Sequence, residues 1–338
     1  MVAGGAVRYA VVGYGLAGSA FHAPIIAATA GAQLTAVVAR SADSAAAVRQ
    51  RYPETTVVDD IAALPGLGID VAVVATPNAT HAPLAAALID DGIAVVVDKP
   101  LAESAAAARD LVDSARTAGV ALTCYQNRRW DGDFLTVRSL AESGELGDVH
   151  RLESRFERWR PQVKAGWKET PGPAAGVLWD LGPHVIDQAL VLGGPVVEVT
   201  GSVRTLRPGA EVPDDATLVL THATGMRSHL SVSLVAAAPG PRFRVLGTQA
   251  AYVKDGLDPQ EDELRAGVTP GGPGWGEEAR SHWGVVTSER GGAEVWPTLP
   301  GDYPRFYRMM TDHLRGDGPL PVDPLDSVRV LEIIEEIG

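Results

Sequence analysis

Three short stretches of this 338-residue chain place useful side chains at spacings that chemistry exploits. The first is Gly13-Tyr14-Gly15-Leu16-Ala17-Gly18, a G-x-G-x-x-G run. In such a run Gly13 makes a tight turn, Gly15 lets the backbone approach a pyrophosphate, and Gly18 lets a following helix pack close to its strand. The free N–H groups and positive end of that helix favour phosphate oxygens. The alternative is a glycine-rich turn that holds nothing. The second stretch is Asp180, His184 and Asp187, spaced four and three apart, so that a helix would put them on one face. Histidine is the usual general base near neutral pH, and a nearby carboxylate can fix its tautomer and stabilise its cation. Pro183 suits the first turn of a helix, so Asp180 is expected just before it. The plain alternative is Asp180 as an N-cap and His184 as a core histidine. The third stretch is Asp98-Lys99-Pro100. The chain has only four lysines, Lys99, Lys164, Lys168 and Lys254. The residue before a proline is held extended. A lysine so placed can bond substrate hydroxyls and stabilise a developing alkoxide; otherwise it is a surface lysine at a strand end.

Two further segments bear on the ligand. A dinucleotide site that takes NAD wants Asp or Glu about 20 residues after the glycine turn, against the ribose 2′-hydroxyl. Here the chain reads Val38-Ala39-Arg40-Ser41. An arginine beside a hydroxyl matches a 2′-phosphate, so NADP(H) is expected over NAD(H). The competing reading leaves Arg40 in solvent and brings Asp43 to the ribose. Downstream, Thr76-Pro77-Asn78-Ala79-Thr80-His81 follows an apolar run. Asn78 could N-cap the next helix and also face the nicotinamide ribose; His81 alone reads as a helix-face histidine.

These residues need elements to hold them. The first third of the chain alternates short apolar runs (7–12, 34–39, 56–58, 71–75, 94–97 and 121–124) with helical patterns at 17–30, 44–52, 79–90 and 103–118. Strands apolar throughout, each followed by a helix, indicate a parallel sheet covered on both faces, hence a doubly wound Rossmann domain. After Cys124 the pattern changes. Helices are expected at 130–143 and 183–192, with a one-face-wet antiparallel strand at 149–159. Further strands follow near 196–203, 217–221, 229–236, 243–246 and 284–287. Strands in succession suggest an antiparallel or mixed sheet. Helices at 305–315 and 325–337 close the chain, and the Gly/Pro-rich stretch 267–276 reads as a loop. The expected class is α/β: a dinucleotide-binding domain over 1–124, then an α/β domain with a large open sheet over 125–338.

Composition excludes several classes. The net charge of −13 lacks the basic footprint of a nucleic-acid or anionic-membrane partner. One cysteine, Cys124, allows no internal disulfide and no Cys-rich zinc site. No paired-histidine metal motif occurs, so no metal is expected. No signal peptide and no run of 18 apolar residues appears, so a soluble cytoplasmic protein is expected.

Taken together and in order, the Gly13–Gly18 turn, the 76–81 segment, the Asp98-Lys99-Pro100 turn and Asp180 with His184 resemble the Gfo/Idh/MocA oxidoreductases over essentially the whole chain. That family usually has Glu-Lys-Pro at the third motif; Asp98 is a conservative departure. A narrower likeness is to an NADP-dependent scyllo-inositol dehydrogenase branch. It rests on the glycine turn with Phe21-His22-Ala23-Pro24, on Asn127-Arg128-Arg129-Trp130-Asp131, on Arg158-Trp159-Arg160-Pro161 and on 256–265. The resemblance implies that Lys99, Asp180 and His184 converge at the nicotinamide. It also implies that Gly13, Tyr14, Gly15, Leu16, Ala17, Gly18, Arg40, Ser41, Thr76, Pro77, Asn78, His81 and Lys99 hold the dinucleotide. Asn127, Arg128 and Trp159 would join Lys99, Asp180 and His184 around the substrate. Tyr125, Asn127, Arg128 and Trp130 could instead stiffen the connection between domains. The C-terminal sheet is expected to form a homo-oligomer, dimer or tetramer. Relatives run some residues beyond a final helix like 325–337, so Gly338 is expected to mark a truncated end.

The expected reaction is oxidation of a secondary alcohol of a cyclic polyol or sugar, inositol-type favoured, with hydride passing to C4 of NADP⁺. His184 would take the hydroxyl proton, Lys99 stabilise the alkoxide, and Asp180 position or charge the pair. Two rivals stand beside it: reduction of a keto-sugar or other carbonyl compound, and a non-catalytic dinucleotide sensor.

Overall fold

The computed structural model describes residues 5–163, 166, 169–289 and 291–338; Lys164 and Lys168 lie outside them. The chain forms two compact units. One takes residues up to Asn127 with Gln260–Trp275 and Asp302–Val328; the other takes Arg128–Pro259, Gly276–Gly301 and Arg329–Gly338. The division therefore differs from a simple cut after Cys124.

The first unit carries six parallel strands, β1 (Val7–Val12), β2 (Ala32–Val38), β3 (Thr56–Val58), β4 (Val71–Val74), β5 (Ala94–Asp98) and β6 (Leu122–Tyr125). Their order is β3-β2-β1-β4-β5-β6. The order reverses between β1 and β4, and such a reversal opens a crevice at the carboxyl ends of the strands. The Val-rich central strands are buried along almost their whole length, as a sheet covered on both faces requires.

The helices of this sheet start where the local chemistry permits. The helix expected at 17–30 is in two parts: a π-type turn, Ala17–His22, then α1 (Ala23–Ala28). Pro24 has no N–H to donate, and the ladder re-registers there, with the Ala23 N–H bonding back to Gly18 O. Next comes α2 (Ala42–Arg51), capped by the Ser41 side chain. Asn78–Thr80 forms a separate 3₁₀ turn, and α3 (His81–Asp90) begins only at His81 with Thr80 as its cap. Asn78 is therefore not the α-helix N-cap; Pro83, favoured in a first turn, fixes the later start. The fourth helix, α4 (Ala105–Ala118), is capped by Ser104.

Two later segments complete this unit. The short α7 (Gln260–Arg265) has no counterpart in the sequence reading. A longer helix, α8 (Pro304–Arg315), packs against α1 and β2. Its apolar stripe, Phe306, Tyr307 and Met310, is fully buried, and this burial draws 302–328 away from its sequence neighbours. The Tyr125 ring packs on His22, Phe306 and Tyr307 at centroid distances of 4.5, 4.8 and 5.8 Å. Thr123 Oγ1 donates to Val322 O at 2.8 Å, which pins the returning chain to β6.

The second unit is an eight-stranded mixed sheet with helices on one face. It comprises α5 (Gly132–Glu142), β7 (Val149–Glu157), α6 (Val177–Gly193), β8 (Val196–Arg204), β9 (Asp215–His222), β10 (Arg227–Ser233), β11 (Phe243–Gly247), β12 (Ala250–Lys254), β13 (Gly284–Ser288) and β14 (Gly292–Trp296). The order is β14-β13-β12-β11-β7-β10-β9-β8. The strand expected to be antiparallel, β7, pairs that way with β11 but runs parallel to β10. Parallel neighbours need a crossover, and α6 lies in the chain between β7 and the β8–β10 meander. The last helix, α9 (Pro324–Ile337), adds Val330, Ile333 and Ile334 to the core under the sheet.

Helix α6 begins well before the residue expected. It runs from Val177 with Gly176 as N-cap, so Asp180 lies in its first turn and Pro183 in its interior. An interior proline costs about 3 kcal/mol. Leu178, Leu181, Val185, Ile186 and Ala189 are buried in the core cluster, and each large side chain buried contributes roughly 1.5–3 kcal/mol. Burial wins, and the helix passes through the proline. Among the described residues no helix is long and apolar enough to cross a membrane.

Candidate active site

The glycine turn stands at the carboxyl end of β1. Gly13 has φ +95°, and a Cβ there would lie 2.7 Å from Ala75 O. Its N–H donates to Val38 O at 3.0 Å. A Cβ on Gly18 would overlap the carbonyl oxygen of Gly13, so the residue after the turn must be bare for the chain to fold back on itself. Gly15 differs: nothing lies within 4 Å of its would-be Cβ. No protein atom requires glycine at 15, whereas a phosphate lying against the backbone would. The three glycines thus fit a bound dinucleotide. Leu16 is largely exposed beside the turn, and Ala17 opens the π-type turn. The half-buried Tyr14 hydroxyl is pushed up by burial, against the opposing effect of Arg51.

At the carboxyl end of β2, Arg40 and Ser41 are both exposed. Ser41 Oγ accepts from Ser44 N at 3.1 Å, which leaves its hydroxyl proton to donate. Asp43 is also exposed, in the first turn of α2.

The ends of β4 and β5 are tied together. Thr80 Oγ1 lies 2.7 Å from both Thr76 Oγ1 and Pro77 O, and its single proton serves one of them at a time. His81 is buried, with Nε2 2.8 Å from Thr76 O and Nδ1 2.8 Å from Pro100 O. It is no ordinary helix-face histidine. The Lys99 N–H donates to Asp98 Oδ1 at 2.9 Å, and the Lys99–Pro100 peptide is cis. Behind Asp98 lies His22, fully buried, with Nε2 3.9 Å from Asp98 Oδ1 and Nδ1 2.6 Å from the Tyr307 hydroxyl. Burial drives the His22 pKa down to about 4; Asp98 raises it and His81 lowers it further. Burial, followed by Tyr125, Tyr9 and Asp98, holds the Tyr307 hydroxyl well above its usual range. Tyr307 therefore keeps its proton, and donating it to Nδ1 leaves the ring proton of His22 on Nε2, towards the Asp98 carboxylate.

In the second unit α6 carries Asp180, half-buried, and His184, buried, one turn apart on one face. The His184 ring lies 6.3 Å from that of Phe156 on β7, and the guanidinium of Arg128 sits 4.7 Å from the same ring. Arg128 Nη1 bonds Asp131 Oδ2 at 3.1 Å. Asp187, three residues on, accepts from Arg129 through both its oxygens, at 2.8 and 2.6 Å. Asn127 is buried at the start of the 3₁₀ turn Asn127–Trp130 and Trp130 is buried at its end, whereas Trp159 is more than half exposed. Residue type and spacing alone give no role to His22, to Tyr307 or to Asp98 as a partner of the Lys99 N–H. The available signal is a histidine four residues after Gly18, in the helical segment that follows the glycine turn.

Residues 7–126 match the oxidoreductase family with an NAD-binding Rossmann fold, and residues 134–253 match the GFO/IDH/MocA C-terminal domain. The chain belongs to the GFO/IDH/MocA oxidoreductase family. It is 41% identical to the oxidoreductase YdgJ of Escherichia coli over 97% of this chain and 94% of that protein. It is 34% identical to the scyllo-inositol 2-dehydrogenase (NADP(+)) IolW of Bacillus subtilis over 97% of this chain and 92% of the relative. Among solved structures, the oxidoreductase yvaA of Bacillus subtilis superposes with a TM-score of 0.93 at 34% identity, over 98% of this chain and 95% of that one. The fold is thus that of an NAD(P)-binding oxidoreductase of a family that acts on small molecules, with dehydrogenases of CH–OH groups among its members.

Proposed function

We propose that this chain is an NADP(H)-dependent dehydrogenase that interconverts a secondary alcohol and a ketone on a cyclic polyol or sugar, with an inositol-type substrate favoured. The observation that carries the cofactor half is Arg40 with Ser41 at the end of β2, exposed where an NAD-type site has an acid. The substrate half is supported by the IolW relative, named as a scyllo-inositol 2-dehydrogenase.

When bound, the nicotinamide supplies a carbon that accepts or returns a hydride. The protein handles the proton and the charge. In the oxidative direction His184 takes the proton of the reacting hydroxyl as general base. Asp180, one helical turn away, orients the imidazole and offsets the cation that forms. The Lys99 ammonium stabilises the alkoxide as its proton leaves. In reverse the same groups return the proton to a ketone. Asn127, Arg128 and Trp159 contribute donors and an aromatic face to the substrate, and Gly15, Thr76, Pro77 and Asn78 hold the dinucleotide. The reading also makes the protein a cytoplasmic homo-oligomer, formed through the eight-stranded sheet, whose edge strand β8 exposes Val197.

Lys99→Ala and His184→Ala test the assignment. Each is expected to lower kcat by about 100-fold or more with a polyol and NADP⁺, while NADPH affinity by fluorescence titration stays within about threefold. Wild-type turnover in both variants would reject it.

A further inference from the structure

Pro100 has no N–H, so the one polar group its own backbone offers for fixing the Lys99 turn is its carbonyl. That carbonyl is held by His81, whose Nδ1 lies 2.8 Å away. The His81 ring is buried, and its Nε2 lies 2.8 Å from Thr76 O, in the segment after β4. The ring thus lies between two loops that follow adjacent strands of the sheet; both neighbours are carbonyl acceptors, and a neutral imidazole, with one N–H, donates to one of them at a time. On the other side of Lys99, its N–H is held by Asp98 Oδ1 at 2.9 Å. Asp98 in turn faces the buried His22, whose ring is anchored by the Tyr307 hydroxyl at 2.6 Å. The bond to Pro100 is direct and short, whereas His22 stands 3.9 Å from Asp98.

We propose that His81 is a positioning residue for Lys99: its Nδ1–H, donated to the Pro100 carbonyl, sets the backbone of the turn that aims the ammonium. The proposal rests on the catalytic reading of Lys99 given above. It separates the two ring nitrogens. The Nδ1 contact fixes the lysine turn, whereas the Nε2 contact only ties the ring to its own loop. A side chain that reproduces the first contact should preserve function, and one that reproduces the second alone should not.

Asparagine and glutamine make that distinction. In His81→Asn the amide NH₂ falls near the position of Nδ1, and in His81→Gln near that of Nε2. Three measurements are made on each full-length variant: steady-state kinetics with scyllo-inositol and NADP⁺, NADPH titration by fluorescence, and labelling of Lys99 by trinitrobenzenesulfonate followed by mass spectrometry. With only four lysines the labelled peptide is unambiguous. His81→Gln is expected to lower kcat by about tenfold or more, as a small misplacement of a catalytic group does. It leaves KM and NADPH affinity within about twofold and changes the Lys99 labelling rate by about threefold or more. His81→Asn restores both kcat and labelling towards wild type. Indistinguishable labelling in the two variants overturns the proposal, whatever their stability. Lys99→Ala is run alongside: if it turns over like wild type, the catalytic reading of Lys99 fails, and the labelling comparison alone decides whether His81 sets the turn.

Discussion

Arg129 and Asp187 meet as a two-pronged ion pair, Nε to Oδ2 at 2.8 Å and Nη2 to Oδ1 at 2.6 Å, with both side chains almost entirely buried. The pair fastens the turn that carries Arg128 to the helix that carries His184. A second link runs parallel to it: Gln188 Nε2 donates to Arg128 O at 2.8 Å, and Gln188 Oε1 accepts from Arg242 at 2.6 Å. Removing one partner of a buried pair leaves an uncompensated charge. Asp187→Ala is expected to destabilise the protein by about 3–5 kcal/mol, measured as a fall in the urea midpoint. A change within the scatter of surface variants would show that the pair contributes nothing net.

Gly18 and Gly15 should behave oppositely. A methyl on Gly18 would collide with the Gly13 carbonyl, backbone against backbone, with no flexible atom to yield. Gly18→Ala is expected to cost about 2–4 kcal/mol in stability and to abolish NADPH binding along with it. Gly15→Ala meets no protein atom. It should melt within a degree or two of wild type and yet bind NADPH about tenfold or more weakly, because the methyl occupies the phosphates' place. Equal NADPH affinity in Gly15→Ala and wild type would remove the glycine turn from the cofactor site.

These contrasts show which parts of the molecule could be read from its sequence. The central strands of the first unit are legible because a buried parallel strand is apolar along its length, as in Val71–Val74 and residues 94–97. The strand β14 was not: its residues Gly292–Trp296 are nearly all exposed, so no apolar periodicity marks them. The hairpin from β11 to β12 turns through Thr248 and Gln249, neither of which is a strong turn residue. The start of α6 was misplaced because a proline signals a first turn locally, while the decision was made by core packing. In the candidate site, the glycines, Lys99, Asp180 and His184 can be named from type and spacing alone. His81 and His22 were legible as histidines but not as clamps, because their partners, the Pro100 carbonyl and the Tyr307 hydroxyl, come from distant sequence or from the backbone.

His22 makes stability depend on pH in a defined window. Its pKa is about 4 in the folded protein because it is buried, against about 6.5 when unfolded. Above pH 6.5 the ring is neutral in both states and pH has no effect through it. Between 6.5 and 4 the unfolded chain binds a proton that the native one does not, so stability falls as pH falls. Below about 4 both states are protonated and the slope vanishes. The total loss is on the order of 3 kcal/mol. Denaturant titrations at intervals across this range should show a shallower decline in His22→Asn than in wild type. Parallel declines would mean that carboxylates alone govern acid stability.

Arg40 should govern the choice between the two dinucleotides. It is exposed at the end of β2, next to Ser41 at the N-cap of α2, and an arginine fork grips a phosphate where a ribose hydroxyl offers it little. Wild-type protein is expected to bind NADPH more tightly than NADH. Arg40→Ala should weaken NADPH by about tenfold or more and leave NADH within about twofold. Ser41→Ala is a less clean probe, since losing the cap costs the helix about 1 kcal/mol by itself. The checking measurement is nicotinamide fluorescence on titration with each dinucleotide, at two salt concentrations. A 2′-phosphate contact should weaken as salt rises, and a ribose contact should not. Tighter binding of NADH by the wild type would reject the arginine fork and put Asp43 at the ribose.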